Sequence, residues 1–166
     1  TGCAPTLTPM INQDEQKPWV VRTDFSDDEK WLAVRELISA PQVEVGQKFY
    51  AYVRYVSDDK YAGMEPDVLV HSFPEDYPGF FCCIVDEATL TNEEHPILVV
   101  GFSPNSDNPK DYERSPSQTL VTDIRTFRAI PSTIQSIENN LSIANMDFEE
   151  FADSVDDDGV FRGFPR

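Results

Sequence analysis

Basic side chains are scarce in this sequence. Thirteen Lys and Arg stand against thirty Asp and Glu, a formal charge of −17. Such a surface repels a phosphate backbone, which argues against nucleic-acid binding and leaves solubility, a basic protein partner or cation binding as meanings of the charge. Histidine is rarer still, with only His71 and His95 present, so a hydrolytic triad would need one of these two beside a nucleophile. Of three cysteines, Cys82 and Cys83 are adjacent within "GFFCCIVDE". Neighbours in a strand point to opposite faces, so both read as buried small hydrophobes, with Cys3 left over. The motifs G-x-S-x-G, H-E-x-x-H, G-x-x-x-x-G-K-[ST] and G-x-G-x-x-G are missing, and no motif indicates a cofactor. No run approaches the roughly 20 apolar residues of a membrane helix. A soluble, cytoplasmic protein without membrane association is the expectation.

What is present suffices for a core. The chain has 166 residues, 40% of them hydrophobic, with eleven Phe, six Tyr and two Trp. That length supports one domain burying roughly two thirds of its unfolded surface. Residues 1–18 are Pro-rich and polar and read as an arm, leaving 19–166 as the globular domain.

"WVVRTDF" (Trp19 to Phe25) is β-branched and predicts the first strand. "SDDEKWLAVRELIS" follows as a helix, with Ser26 and Glu29 as a capping box and Trp31, Val34 and Ile38 on one face. "QKFYAYVRYV" alternates as a second strand, and "EPDVLVHSF" suits a short helix with Pro66 in its first turn. "GFFCCIVDE" and "HPILVVGF" are apolar on both faces, as central strands covered by helices are. Ser103 to Thr122 reads as a long loop, "TFRAI" as a strand, "STIQSIENNLSI" as strand or helix, and "MDFEEFADSV" as a helix. This alternation predicts a single-domain α/β sandwich, a mixed sheet covered by helices, with α+β as the alternative.

Four patterns could carry chemistry. The acidic turn of Ser154, Asp156 and Asp158 around Gly159 has the early spacing of a calcium loop, but the twelfth position falls on Pro165, so Asp156 and Asp158 are a weak metal pair against a plain solvated turn. Asp24, Asp58 and Asp86 follow the first three strands. Were those strands parallel, these carboxylates would share a crevice suited to magnesium or to acid/base work, although Asp is common after strands simply as a cap. Arg22, Arg54 and Arg128 lie inside predicted strands and are either paired structurally or line an anion pocket with Tyr50 and Tyr52. Finally, no Lys or Arg occurs from Ala129 to Phe161.

The stretches "WVVRTDFSDDEKW", "YVSDDKYAG" and "SIENNLSIANMDFEEFADSVDDDGVFRGF" resemble a family of small uncharacterised single-domain proteins of bacteria and fungi. The resemblance implies one domain and makes the acidic ending part of the fold, and it carries no activity. Ile143, Met146, Phe148, Phe151, Val155, Val160, Phe161 and Phe164 then fold inward, leaving Asp147, Glu149, Glu150 and Asp153 on an outer face. The first functional expectation is therefore a non-enzymatic acidic binding protein that engages a basic protein, as inhibitor or immunity-type proteins do. The alternative is a small-molecule or divalent-cation-dependent enzyme using the carboxylate crevice.

Overall fold

The computed structural model describes residues 16–104, 110 and 121–165. Among them the order is β1 (Trp19–Arg22), α1 (Asp28–Ser39), β2 (Gln42–Glu44), β3 (Gln47–Phe49), β4 (Arg54–Val56), α2 (Pro66–His71), β5 (Phe81–Val85) and α3 (Glu87–Thr91). Then come β6 (Ile97–Pro104), β7 (Val121–Ala129), α4 (Ile134–Ser142), α5 (Phe148–Ala152) and β8 (Val160–Phe161). Six strands form one mixed sheet in the order β4-β1-β5-β6-β7-β8, and β2 and β3 form a separate hairpin. β1 pairs in parallel with both β4 and β5, β6 runs antiparallel to β5 and β7, and β8 is parallel to β7. The expected α/β architecture with a mixed sheet is what forms.

All five residues of β5 are buried, and alternation divides them between two cores. Cys83 and Val85 face Trp31, Val34 and Ile38 of α1, together with side chains of α3, α4 and α5. Cys82 and Ile84 face Leu69 and Val70 of α2, with Phe73 and Tyr77 beyond it. The crossovers that leave β1 and β4 therefore pack on opposite faces of the sheet. Tyr77 ties the start of the two central parallel strands: its hydroxyl donates to Phe81 O at 2.7 Å and accepts from the Trp19 amide at 3.1 Å.

Several local expectations change. The cap of α1 is Asp27, which accepts from the Lys30 amide at 3.0 Å, because Ser26 turns instead toward Asp24. The predicted strand of residues 47–56 splits into β3 and β4, which belong to different sheets. Its middle is diverted to α4: the Tyr52 amide donates to buried Glu138 at 2.6 Å, and Tyr50 O accepts from Asn139 Nδ2 at 3.0 Å. Backbone groups there are satisfied by side chains rather than by a ladder. The ambiguous segment is helical because Ile134, Ile137 and Glu138 share its inner face. Neither α3 nor β8 was foreseen. β6 and β7 reach into the predicted 103–122 loop from both sides; the rest of that segment except Lys110, and residues 1–15 of the predicted arm, lie outside the described residues.

The acidic ending folds inward as the resemblance implies, burying Phe148, Phe151, Val160 and Phe161, although Ile143 and Phe164 stay exposed. Phe148 sits over Gly101 of β6 so closely that a Cβ there would fall 2.7 Å from its ring. Gly101→Ala should cost about 1–3 kcal/mol through overpacking, read as a lower urea midpoint with an unchanged slope. Glu138→Ala should cost about 1–2 kcal/mol and speed hydrogen exchange at the Tyr52 amide, since the charge-assisted bond that holds this turn is lost.

Candidate functional site

In an open α/β sheet a site forms beyond the carboxyl ends of the parallel strands, where successive crossovers leave for opposite faces. Here the crossovers that leave β1 and β4 carry α1 and α2 to opposite faces, and a cavity of about 470 Å³ lies at the carboxyl ends of β1 and β5, bordered by the loop that leads from β4 into α2. Thr23 closes its base. Its amide donates to Val85 O at 3.0 Å, and its carbonyl accepts from the Gly63 amide at 2.8 Å, tying β1, β5 and the loop before α2 into one rim. Asp24 comes next, its carboxylate accepting from the Ser26 amide at 2.9 Å. Met64, Glu65 and Pro66 form the wall toward α2; Asp86, Glu87 and Ala88 form the wall at α3; Ile84, Leu98 and Arg128 form the floor and far side.

Asp86 is the most connected of these groups. It caps α3 by accepting from the Thr89 amide at 3.1 Å. It also accepts two hydrogen bonds from Arg128, at 2.9 and 2.7 Å, reaching across β6 to β7. Arg128 donates further to Pro96 O at 3.1 Å. Partial burial pushes the Asp86 carboxyl up, but the bonds and charge of Arg128, aided by Thr89, outweigh it and hold the group below its ordinary range.

The predicted trio of Asp24, Asp58 and Asp86 is only partly brought together. Asp24 and Asp86 line the cavity, whereas Asp58 caps a short 3-10 turn at Asp59–Tyr61, accepting from the Lys60 amide at 3.0 Å. The predicted anion pocket does not form, because its arginines lie apart. Arg22 is buried beneath α1, donating to Asp28 at 2.7 Å and to Asp24 O at 2.8 Å, with its guanidinium 4.5 Å from the Phe25 ring. Arg54 lies over Trp19 on the edge strand, and Tyr50 and Tyr52 are exposed. Only Arg128 reaches the crevice, and it is already paired with Asp86 and bonded to Pro96 O.

The calcium-loop reading of Asp156 and Asp158 is also corrected. Residues 156–159 make a tight turn into β8, and both carboxylates bond Arg162, at 2.7 and 2.6 Å, while Glu94 takes its other edge. Among the described residues no three His, Cys, Asp or Glu come close enough to hold a metal. The thiols of Cys82 and Cys83 are fully buried, with Cys83 pushed up to about 12 chiefly by burial, so neither is a nucleophile at neutral pH. Asp147, Glu149, Glu150 and Asp153 are all exposed around α5. Glu150 reaches back to the Asp147 amide at 2.7 Å, and Glu149 pairs with Arg125. Sequence reading missed Thr23, Met64 and Glu65. The one signal for them was the Gly63-to-Pro66 stretch, which marks a turn entering a helix.

Residues 17–164 match a family model described as a domain of unknown function (DUF6924). The chain belongs to the DUF6924 family. The matched span starts just before β1 and ends after β8, so the whole sheet and the crevice lie inside the DUF6924 domain. A comparison with curated proteins gave no match.

The depressed Asp86 carboxyl has a consequence for stability. The charged form is favoured in the folded state, so its contribution is present above the unfolded value of about 3.9 and lost as pH falls through the lower folded value. Asp86→Asn should cost about 1–2 kcal/mol at pH 7. Urea midpoints of the variant and the wild type should converge as the pH drops below about 4.

Proposed function

We propose that the protein binds a small molecule in the crevice at the ends of β1 and β5. The observation that carries this reading is the place of the cavity at the carboxyl ends of the parallel neighbours β1 and β5, beside the loop from β4 into α2, since strand ends pre-form that concavity. Its volume lies in the range of small-ligand sites. Polar groups around an apolar floor of Ile84 and Leu98 give the mixture that orients a ligand. Divalent-cation chemistry is not part of the proposal, because the described carboxylates do not gather in threes. Cytoplasmic localisation is part of it, on the strength of two adjacent free thiols, which suit a reducing compartment. No helix among the described residues is long and apolar enough to cross a membrane.

A second reading rests on α5. Its carboxylates are exposed while Phe148 and Phe151 are buried, so one side of this helix offers a basic protein an acidic edge. Exposed carboxylates on α1 and α2, on opposite faces of the sheet, weaken the idea that this edge is special.

Methionine methyl groups separate the two readings. Met64 lines the crevice, and Met146 lines a second cavity, of about 510 Å³, beside α5. With ¹³C-methyl-labelled protein, a screen of small polar fragments should shift the Met64 signal while leaving Met146 in place. A screen that leaves Met64 unmoved ends the crevice proposal. Salt-sensitive capture of a basic protein, lost in a Glu149→Lys/Glu150→Lys/Asp153→Lys variant, would favour α5 instead.

A further inference from the structure

We infer that the outer edge of β4 pairs with the same edge of a second copy of this chain, as antiparallel strands about a two-fold axis at Val56. Among the described strands β4 is the last on its side of the sheet, and its one neighbour is β1. Arg54 turns its amide toward β1, donating to Pro18 O at 2.9 Å. In a parallel ladder the amide and carbonyl of one residue point to the same side, and those of the next residue to the other. Tyr55 therefore directs both groups outward, where no described strand receives them. The backbone stays extended as far as Asp58, so Ser57 presents its own amide and carbonyl on the same outer edge.

Charge identifies the occupant of this edge. Sheet edges are commonly blunted by charged side chains, but the charge here has the sign that the rest of the surface lacks. Arg22, Arg125, Arg128 and Arg162 each pair with a carboxylate, whereas Arg35 and Arg54, which flank β4, form no ion pair among the described residues. Their guanidiniums lie over the rings of Tyr55 and Trp19, at 4.7 and 5.6 Å. Another copy, at a charge of −17, brings the carboxylates that Arg54 lacks. With Val56 on the axis, Tyr55 exchanges hydrogen bonds with the second copy's Ser57, and Arg54 stands directly opposite its Asp58, a contact that symmetry makes twice. Asp58 is exposed; one carboxylate oxygen caps its turn, and the other lies 4.0 Å from Lys60. An axis at Arg54 or at Asp58 would set like charges face to face, and an axis at Tyr55 or Ser57 leaves Arg54 opposite Val56 or Lys60. On the α1 face, Tyr55 lines a groove with Leu32, which is 55% exposed, and the axis sets two such grooves side by side.

The test is sedimentation equilibrium of the full chain. An interface built on one short strand is small, so the mean mass should climb from one chain toward two as concentration rises through the micromolar range. Arg54→Glu places like charges at both contacts and should raise the dissociation constant by at least about tenfold, and Asp58→Arg should do the same. Mixing the two variants restores an attractive pair at each contact. The mixture should therefore dimerise nearly as well as the wild type, although neither variant does so alone, and a lost cap or a local packing defect cannot produce that complementation. A mass that stays at one chain throughout would overturn the inference. So would a dimer that both variants form as readily as the wild type, or a mixture that fails to associate, since the contact then lies elsewhere. If the chain stays monomeric while Arg54→Glu abolishes binding of a different protein, the edge serves a foreign strand and the assignment to a second copy is wrong.

Discussion

Burial of β5 on both of its faces is the constraint from which the rest of the molecule follows. A strand reading Phe81-Cys82-Cys83-Ile84-Val85 has no face to offer water, so apolar layers must cover both sides of it. α1 supplies one layer, in the crossover from β1 to β4, and α2 the other, in the crossover from β4 to β5. The chain leaves β1 toward α1 on one face while the loop from β4 turns toward α2 on the other, which opens a space beyond the ends of β1 and β5. The crevice is thus a by-product of satisfying a core strand, which is why it is formed by backbone ties at Thr23 and Gly63 as much as by side chains.

Charge then sets the character of the lining of that crevice. Doubly wound sheets commonly use such a place for phosphates, with glycine-rich turns and free amides. Here the turn after β1 is Thr23-Asp24, the turn after β5 is Asp86-Glu87, and the guanidinium of the lining, Arg128, is paired with Asp86 by a two-pronged bond. That bond also holds β7 to the end of β5 across the intervening β6, so the wall of the cavity and the far half of the sheet share one fixing point.

The acidic ending shows the same economy of charge. Phe148, Phe151 and Phe161 fill the core layer shared with α1, and edge-to-face contact between Phe151 and Phe161 at 5.4 Å fixes their mutual orientation. The carboxylates that remain outside divide into two groups. Those around α5 are exposed, with Asp147 and Glu150 capping the helix and Glu149 paired with Arg125, while Asp156 and Asp158 converge with Glu94 on Arg162. A single arginine therefore fastens the end of the domain to the turn between α3 and β6, and it offsets part of the local negative charge that resembled a metal loop.

Much of this was legible in the order of residues. Periodicity located α1 through Trp31, Val34 and Ile38, the doubly apolar runs located β5 and β6, and Phe148, Phe151 and Phe161 marked the ending as core, because alternation and helical spacing are local properties of the chain. Asp24 and Asp86 could be singled out from strand ends alone. Strand order could not, and it decided everything about the site: which carboxylates share a cavity, that Asp58 caps a turn instead, and that Arg22, Arg54 and Arg128 serve three separate places. The split of the predicted 47–56 strand was equally hidden, since the groups that divert it, Glu138 and Asn139, lie more than eighty residues away. The sequence by itself determined which segments had to be buried and on how many faces. Only the tertiary structure decided which of them became neighbours, because hydrogen bonds and ion pairs between distant residues depend on proximity that no local pattern encodes.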